Sequence, residues 1–434
     1  PATLARTLGL GGLVAYGIGD MLGSGIYALV GKAAGGMGNA IWLAFLASMV
    51  AAALTGLSYA SLGSRYPRAA GAAYVAQRAF RRPLLSYLVG LAILASGLTS
   101  MATQTRAFAG YFAPFAPGVP GPILIGGLLV LLTLVNLRGM RESAWFNALC
   151  TVVELAGLVV VIAAGVRFWG SVDYLEGPGG PGGEGIGLSL VLSGAVLTFF
   201  SFVGFEDMFN VIEEVREPRR IFPRALLLSI GAVTLIYVAV SVSAVSVVPH
   251  AELAASGEPL VEVVRRGAPR VPTVLFSLVS LFAIANTALL NYIMGSRLLF
   301  GMAREGLVPR ALGAIHPRSR TPHVAILVMF LIALGLALAT GIANLARATS
   351  VLLLGVFVVV HASLLALRRR AGEPRGFEVP RAVPIAGIAV CAALLAHARR
   401  GELLTAGLLL TGILVLYLVT RPRPVLEGDL PPED

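Results

Sequence analysis

The sequence predicts an all-α membrane protein with twelve transmembrane helices, and three observations support this fold class. First, 57% of the 434 residues are hydrophobic and only 13% are charged, whereas a soluble domain carries about a quarter charged residues. Second, apolar runs of about 20 residues recur along the chain, and each is long enough to cross a hydrocarbon core of about 30 Å. Third, lipid requires every backbone polar group to be paired internally, and helices meet that requirement.

The predicted spans follow one another along the whole chain, so a single transmembrane domain of residues 1–434 is expected. The N-terminal sequence has no small-residue cleavage site, and no separate signal peptide is expected. The longest Gly- and Pro-rich loop, 169–186, is predicted to be a flexible outer connector. The predicted spans are 11–33, 40–62, 84–112, 121–137, 144–168, 187–212, 225–248, 272–303, 323–341, 348–367, 382–398 and 403–420.

Positive charge lies mainly on one side of these spans. The net charge is +11, and 24 of the 33 Lys and Arg residues fall in segments that are cytoplasmic if the N-terminus is cytoplasmic. The positive-inside rule therefore predicts a multi-pass protein of the inner or plasma membrane with both termini in the cytoplasm. The excess of positive charge therefore reflects the membrane topology, and no nucleic-acid partner is expected. Cys150 and Cys391 lie in apolar runs and are expected to be free thiols, and no metal or cofactor is expected.

Two spans carry glycines where a membrane helix would ordinarily be continuous. In the first span they stand in "YGIGDMLGSGIYALVG", residues 16–31, and in the sixth in "LTFFSFVGFEDMFNVIEEV", residues 197–215. These segments open two successive five-span blocks, and paired interruptions indicate a transporter substrate site between inverted repeats. The repeats of spans one to five and six to ten are expected within 10–212 and 187–367, with two extra spans within 382–420.

The break in the first span predicts an anion site. Glycines let the helix unwind, so a second half-helix would begin near Ser24 and present free N–H groups and a positive dipole end. Unwound carbonyls of both broken spans could meet an ammonium group. A site with one end for a carboxylate and another for an amine favours a zwitterion such as an amino acid.

Four collinear stretches resemble the amino acid–polyamine–organocation transporter superfamily. They are "GSGIYALVGKAAG" in span one, "SYASLGSRYPRAAGAAYV" between spans two and three, "FFSFVGFEDMFNVIEEVREPRRIFPRA" in span six, and "SRLLFGMAREGLVPRALGAIHPRSRTPHVAI" after span eight. The resemblance implies a leucine-transporter-like 5+5 inverted repeat with spans one and six broken and two extra C-terminal helices. It also implies secondary transport of amino acids or related amines and no enzymatic activity.

Residues of the broken spans and of span eight form the predicted substrate site. Gly23, Ser24 and Gly25 are expected to cradle a carboxylate, the alternative being that they are packing glycines. Backbone carbonyls on both broken spans are expected to face the amine. Phe202 or Phe205 is expected to close over the substrate as an aromatic gate, the alternative being that the ring packs against lipid or in the core. The candidate substrate-binding residues are Ile18, Gly19, Gly23, Ser24, Gly25, Phe202, Val203, Phe205 and Asn291.

Two acids are predicted coupling residues, because a carboxyl group within the membrane is costly and is a functional hypothesis by default. Glu154 stands where some proton-coupled relatives in the resembling superfamily have a lysine, which is thought to replace a bound sodium ion. A glutamate cannot supply that positive charge, so the resemblance does not fix the coupling ion: H⁺ is the candidate, and Na⁺ is the alternative. Glu206 follows the break in span six and either carries a proton or caps the helix. Asp20 is interpreted as a protonated or hydrogen-bonded structural acid.

The leading functional interpretation is an amino-acid permease that works by alternating access, either proton-linked or exchanging. An amine or polyamine transporter is the alternative, because buried acids could hold a cationic substrate without a carboxylate. A membrane oxidoreductase that binds a dinucleotide at "GIGDMLG" would need a βαβ unit, and none accompanies the motif. A channel agrees less well with paired broken helices than alternating access does.

Overall fold

The computed structural model describes residues 8–66, 71–138, 144–180, 185–304, 307–316, 321–370 and 376–420. Within these ranges the chain is helical and has no β-strand; a single isolated bridge joins Leu8 to Val215. The α-helices are α1 (Leu10–Met21), α2 (Ser24–Met37), α3 (Ile41–Arg65), α4 (Gly71–Phe80), α5 (Pro83–Phe112), α6 (Gly121–Arg138), α7 (Ala144–Gly165), α8 (Leu188–Thr198), α9 (Pro218–Val247), α10 (His250–Ala255), α11 (Pro259–Gly267), α12 (Thr273–Arg304), α13 (His323–Ala339), α14 (Ile342–Arg370), α15 (Ala382–Ala396) and α16 (Arg400–Thr420).

Many of these helices are long and apolar enough to cross a membrane. In the described part of the chain, eight helical stretches of at least 18 residues meet that condition. Three shorter apolar helices stand beside them, at Leu188–Phe202, His323–Ala339 and Ala382–Ala396. An all-helical, multi-pass membrane protein is therefore confirmed, while the arrangement as twelve spans in two inverted repeats stays a prediction.

Helix α5 lies at the centre of the packing, with α12, α13 and α14 against it, and α3 packs along α9. The buried face of α5 is rich in small and hydroxyl-bearing residues, among them Gly90, Ala95, Ser96 and Thr99. Side chains of this size let helices approach closely where lipid supplies no hydrophobic drive for association. Helix α5 thereby forms a central support beside the two broken spans.

The first predicted span consists of two helices. Helix α1 ends at Met21, α2 begins at Ser24, and Leu22 and Gly23 join them. Gly23 has a φ of −50°, which other residues also adopt. Glycine is needed there for space, because a Cβ atom at Gly23 would collide with the side chain of Thr287 on α12.

The sixth predicted span breaks differently. Helix α8 ends at Thr198 and passes into a 3₁₀ turn, Phe199–Phe202, and a second 3₁₀ segment, Phe205–Glu214, follows Val203 and Gly204. Gly204 has a φ of +121°, in the region that favours glycine because it has no Cβ atom. A Cβ atom there would also lie 2.8 Å from the backbone oxygen of Asp20. The two breaks therefore touch each other.

Two predictions outside the broken spans need correction. The outer loop is not a free connector over residues 169–180, because Asn39 donates to the Asp173 carbonyl at 3.2 Å and Trp42 donates to the Tyr174 carbonyl at 3.0 Å. Arg347, which the predicted boundaries place in an outer loop, lies inside α14 and is 5% exposed. Its guanidinium lies 3.3 Å from the Glu402 carboxylate on α16, and this ion pair ties the last helix to α14.

Candidate functional site

A cavity lies where the two broken spans meet α5 and α12. About 510 Å³ of space lies between the surrounding atoms, and this space includes a part that is open to solvent. Its described lining residues come from all four elements. They are Asp20, Met21, Gly23, Gly25, Ser100, Gln104, Phe200, Ser201, Val203, Gly204, Asp207, Thr287, Leu290, Asn291 and Met294.

The first turn of α2 forms one wall of this cavity. Its N-cap residue is Gly23, which has no side chain that could cap the helix, and the first turn contains no acidic residue. The first N–H groups of a helix have no partner within the helix, and the aligned peptide dipoles make this end positive. A Cβ atom at Gly25 would lie 2.7 Å from the Ser201 Cα atom, so glycine lets the backbones of both broken spans border one space.

Four of the predicted substrate-binding residues line the cavity: Gly23, Gly25, Val203 and Asn291. Asn291 donates its side-chain amide to the Thr287 carbonyl on the same helix at 3.0 Å. Ser24 begins α2 as predicted, and its side chain lies outside the described residues. The structure thus brings parts of spans one, six and eight to one place.

Ile18 and Gly19 are not among the lining residues. The Ile18 carbonyl accepts the Leu22 N–H at 2.8 Å, so it already serves as a helical acceptor. Gly19 lies against Thr151 of α7, and a Cβ atom at this glycine would be 3.1 Å from the Thr151 Cβ atom. Both residues therefore act in packing and helix continuity in this conformation.

The two predicted aromatic gates are buried in the core and do not line the cavity. Phe202 is fully buried, and its ring centroid lies 5.4 Å from that of Tyr237. Phe205 is 1% exposed, and its ring centroid lies 5.4 Å from that of Phe357. Phe200, which the sequence did not single out, is the aromatic residue that lines the cavity.

A tyrosine of α9 links the two breaks. The Tyr237 hydroxyl oxygen lies 2.5 Å from the Met21 carbonyl oxygen and 2.7 Å from the Ser201 carbonyl oxygen. A hydroxyl group has one proton to donate, so the two carbonyls share one donor. Tyr237 is fully buried, which fixes the end of α1 against the 3₁₀ turn of the sixth span.

Glu154 lies on α7, away from the cavity lining, and is 1% exposed. The side-chain amide of Asn286 donates to its carboxylate at 3.3 Å, and the Tyr27 hydroxyl donates to its backbone carbonyl at 2.8 Å. A buried carboxylate without an ionic partner is costly. Among the described residues, Glu154 is therefore held by neutral hydrogen bonds alone, without an ionic partner.

Three acids gather at the break of the sixth span. Glu206 accepts the N–H of Gly204 at 2.9 Å, so its carboxylate holds the turn that precedes it. Asp207 and Asp20 both line the cavity, and Asp20 Oδ2 has no hydrogen-bond partner among the described residues. The interpretation of Asp20 as a protonated or hydrogen-bonded structural acid stays a prediction. Among all the residues that the structure describes, no group of three or more His, Cys, Asp or Glu residues is arranged to hold a metal ion.

Sequence reasoning missed the residues that α5 contributes. Ser100 and Gln104 are four apart and lie on one face of the helix, where the Gln104 amide donates to the Ser100 hydroxyl at 3.1 Å. A glutamine in the last third of an apolar 30-residue helix is a polar residue within a predicted membrane span, and that signal could have identified it. Ser201, Leu290 and Met294 carry no comparable signal.

Known proteins that this chain resembles over most of its length are transporters. The sequence profile of a family described as amino acid permease matches residues 8–398. An uncharacterized transporter of Mycobacterium tuberculosis is 31% identical, over 99% of this chain and 96% of its own length. The branched-chain amino acid permease BcaP of Bacillus subtilis is 25% identical, over 98% of this chain and 95% of that protein. The chloroplastic cationic amino acid transporter 9 of Arabidopsis thaliana is 30% identical, over 73% of this chain and 58% of that protein.

Proposed function

Because this chain belongs to the amino acid permease family, whose named relatives are transporters and not enzymes, we propose that it is a secondary active transporter of amino acids. It works by alternating access in the cell membrane. Its twelve spans are two inverted repeats of five spans each, in a leucine-transporter-like arrangement, and two C-terminal helices. Both termini lie in the cytoplasm, which the distribution of arginines supports.

The observation that carries this proposal is the meeting of the two helix breaks at one cavity. The substrate carboxylate lies at the first turn of α2, against the N–H groups at Gly23, Ser24 and Gly25, where the helix end is positive. No acidic side chain of that turn competes for these donors. The α-ammonium faces the second break beside Val203, and Asn291 of α12 borders the bound molecule.

Two buried acids serve coupling in this proposal. Glu154 carries the coupled proton, because its carboxyl group is buried and receives one neutral side-chain hydrogen bond, from Asn286, among the described residues. Glu206 transmits the occupancy of the cavity to the backbone, because it holds the Gly204 N–H that forms the turn. Transport coupled to Na⁺, or exchange of one substrate for another, is the alternative to proton coupling.

An amine or polyamine transporter is the second candidate function. The observation that favours it is the presence of two acids, Asp20 and Asp207, in the cavity lining. An amine without a carboxylate would use these acids and leave the first turn of α2 unoccupied. The relatives favour amino acids, since their names specify branched-chain and cationic amino acids.

Competition for uptake into proteoliposomes separates the two candidates. Labelled lysine and leucine are offered in turn, with cadaverine and isoamylamine, their decarboxylated amines, as competitors. The proposal predicts uptake of at least one amino acid and weak competition by the matching amine, because the amine cannot engage the N–H groups of α2. Equal or stronger competition by the amine would favour the organocation alternative. Liposomes without protein give the baseline.

A further inference from the structure

Three side-chain atoms of the cavity wall have no hydrogen-bond partner among the described residues. They are Gln104 Oε1 on α5, Ser201 Oγ in the sixth span and Asp20 Oδ2 on α1, and all three residues line the cavity. Gln104 is 2% exposed and Ser201 is 1% exposed. Leaving a buried polar atom unpaired costs free energy, so the bound substrate is the natural source of the missing partners.

The unpaired atoms have a common chemistry. A carboxylate oxygen and an amide oxygen accept hydrogen bonds and do not donate them, and a hydroxyl oxygen does both. Gln104 donates one of its two amide N–H groups to the Ser100 hydroxyl, and its Oε1 atom can only accept. Two of the three unpaired atoms, Gln104 Oε1 and the carboxylate oxygen Asp20 Oδ2, therefore need an N–H or O–H donor.

The charges of the lining residues point the same way. Asp20 and Asp207 are acidic, and none of the described lining residues is Lys, Arg or His. The α-ammonium of an ordinary amino acid is matched by its own carboxylate, which in the proposed pose lies at the first turn of α2. One more positive group on the substrate would compensate Asp20, and its N–H groups could pair with the unpaired acceptors that line the same cavity.

We propose that the cavity selects an amino acid whose side chain ends in an ammonium or guanidinium group, and that Gln104, together with Asp20, binds that group. This inference rests on the proposed amino-acid transport. Gln104 is a specificity-determining residue in this proposal. A substrate with a hydrogen-bond donor pairs with its Oε1 atom and binds more tightly, whereas an alkyl chain leaves this atom unpaired and binds more weakly. Met294 and Leu290 contact the aliphatic part of the side chain.

The test compares lysine with norleucine, which has a similar alkyl chain but lacks the terminal ammonium. Uptake and thermal stabilisation of the purified protein are measured for the wild type, for Gln104→Leu and for Asp20→Asn. The wild type is expected to prefer lysine by roughly 10- to 100-fold, as expected for hydrogen bonds to a charged group. Gln104→Leu should lose most of this preference while norleucine still binds, which also shows that the variant is folded. Gln104→Glu should keep the preference for lysine.

Matched controls use residues outside the cavity. Gln77→Leu removes another glutamine whose buried Oε1 lacks a described partner but which does not line the cavity, and it should keep the wild-type preference. Asp173→Asn, in the outer loop, should do the same.

Equal affinity of the wild type for lysine and norleucine would overturn the inference and leave amino-acid transport standing. Uptake of neither amino acid, with cadaverine taken up instead, would overturn both proposals. An Asp20→Asn effect on the pH dependence alone, with the lysine preference intact, would remove Asp20 from the cation site.

Discussion

The two broken spans differ in what they offer to a substrate. After the first break the chain continues as a 14-residue α-helix, α2, with no acidic residue in its first turn and no capping side chain. After the second break it continues as a ten-residue 3₁₀ segment with Glu206 and Asp207 in its first turn. The first break therefore leaves a positive helix end open to a foreign carboxylate, while the second already holds its own carboxylates.

Glycine is also required at the two breaks for different structural reasons. Gly23 has an ordinary φ and is needed because Thr287 of α12 packs against it. Gly204 has a positive φ and, in addition, lies against the backbone of Asp20. The first break thus depends on space alone, and the second depends on both conformation and space. Substitutions at the two breaks should differ accordingly.

The largest effect is expected for Gly204→Ala. A non-glycine residue held at a strained backbone conformation costs about 1–3 kcal/mol, and the new Cβ atom would meet the Asp20 backbone oxygen at 2.8 Å. We expect a lower melting temperature and loss of substrate uptake. Gly231→Ala on α9 is the control, because no atom lies within 4 Å of its Cβ position and alanine favours the helix. If both variants behave like the wild type, the turn at Gly204 does not support the site.

A somewhat smaller effect is expected for Gly25→Ala. Its Cβ atom would lie 2.7 Å from the Ser201 Cα atom, so the backbones of the two broken spans must separate where the carboxylate binds. Affinity for amino acids should fall by at least tenfold, measured by thermal shift and by competition for uptake. Gly36→Ala, on the same helix with open space around it, should bind as the wild type does. Unchanged affinity of Gly25→Ala would remove the carboxylate site from α2.

An intermediate effect, on coupling alone, is expected for Glu154→Gln. This change keeps the shape and the hydrogen-bonding ability of the side chain but removes its exchangeable charge. Uptake should lose its response to an imposed pH gradient, while exchange of substrate for substrate continues. Glu252→Gln, at an exposed ion pair with Arg266, should keep the wild-type response. A Glu154→Gln variant that still follows the pH gradient would assign the coupled proton to another group.

The smallest effect is expected for Tyr237→Phe, which removes the hydroxyl that joins the Met21 and Ser201 carbonyls. The loss of one buried hydrogen bond costs about 1 kcal/mol, and the ring packing against Phe202 is retained. The melting temperature should fall slightly, and substrate affinity should fall because the two breaks are no longer held together. Tyr87→Phe removes a buried hydroxyl whose oxygen lacks a described partner and should leave affinity unchanged.

The sequence predicts those parts of the site that depend on local backbone chemistry. Glycines inside apolar segments, and acids following Gly204, indicate where helices break, and α2 begins at Ser24 as expected. Directions of side chains depend on tertiary packing, so the sequence did not show that Phe202 and Phe205 turn into the core while Phe200 lines the cavity. Gln104 carries a local signal, as a polar residue in an apolar helix, but nothing local to α5 shows that its face meets the broken spans.

The central claim is that an amino acid binds in the cavity between the two breaks, and protection of an engineered cysteine tests it most directly. Asn291→Cys places a thiol on the cavity wall in a chain whose buried Cys150 and Cys391 are replaced by alanine. The account predicts that a saturating amino acid slows methanethiosulfonate labelling at this position and leaves labelling of a Phe115→Cys control, at an exposed site, unchanged. Equal labelling of the cavity cysteine with and without an amino acid that still stabilises the protein would contradict the account.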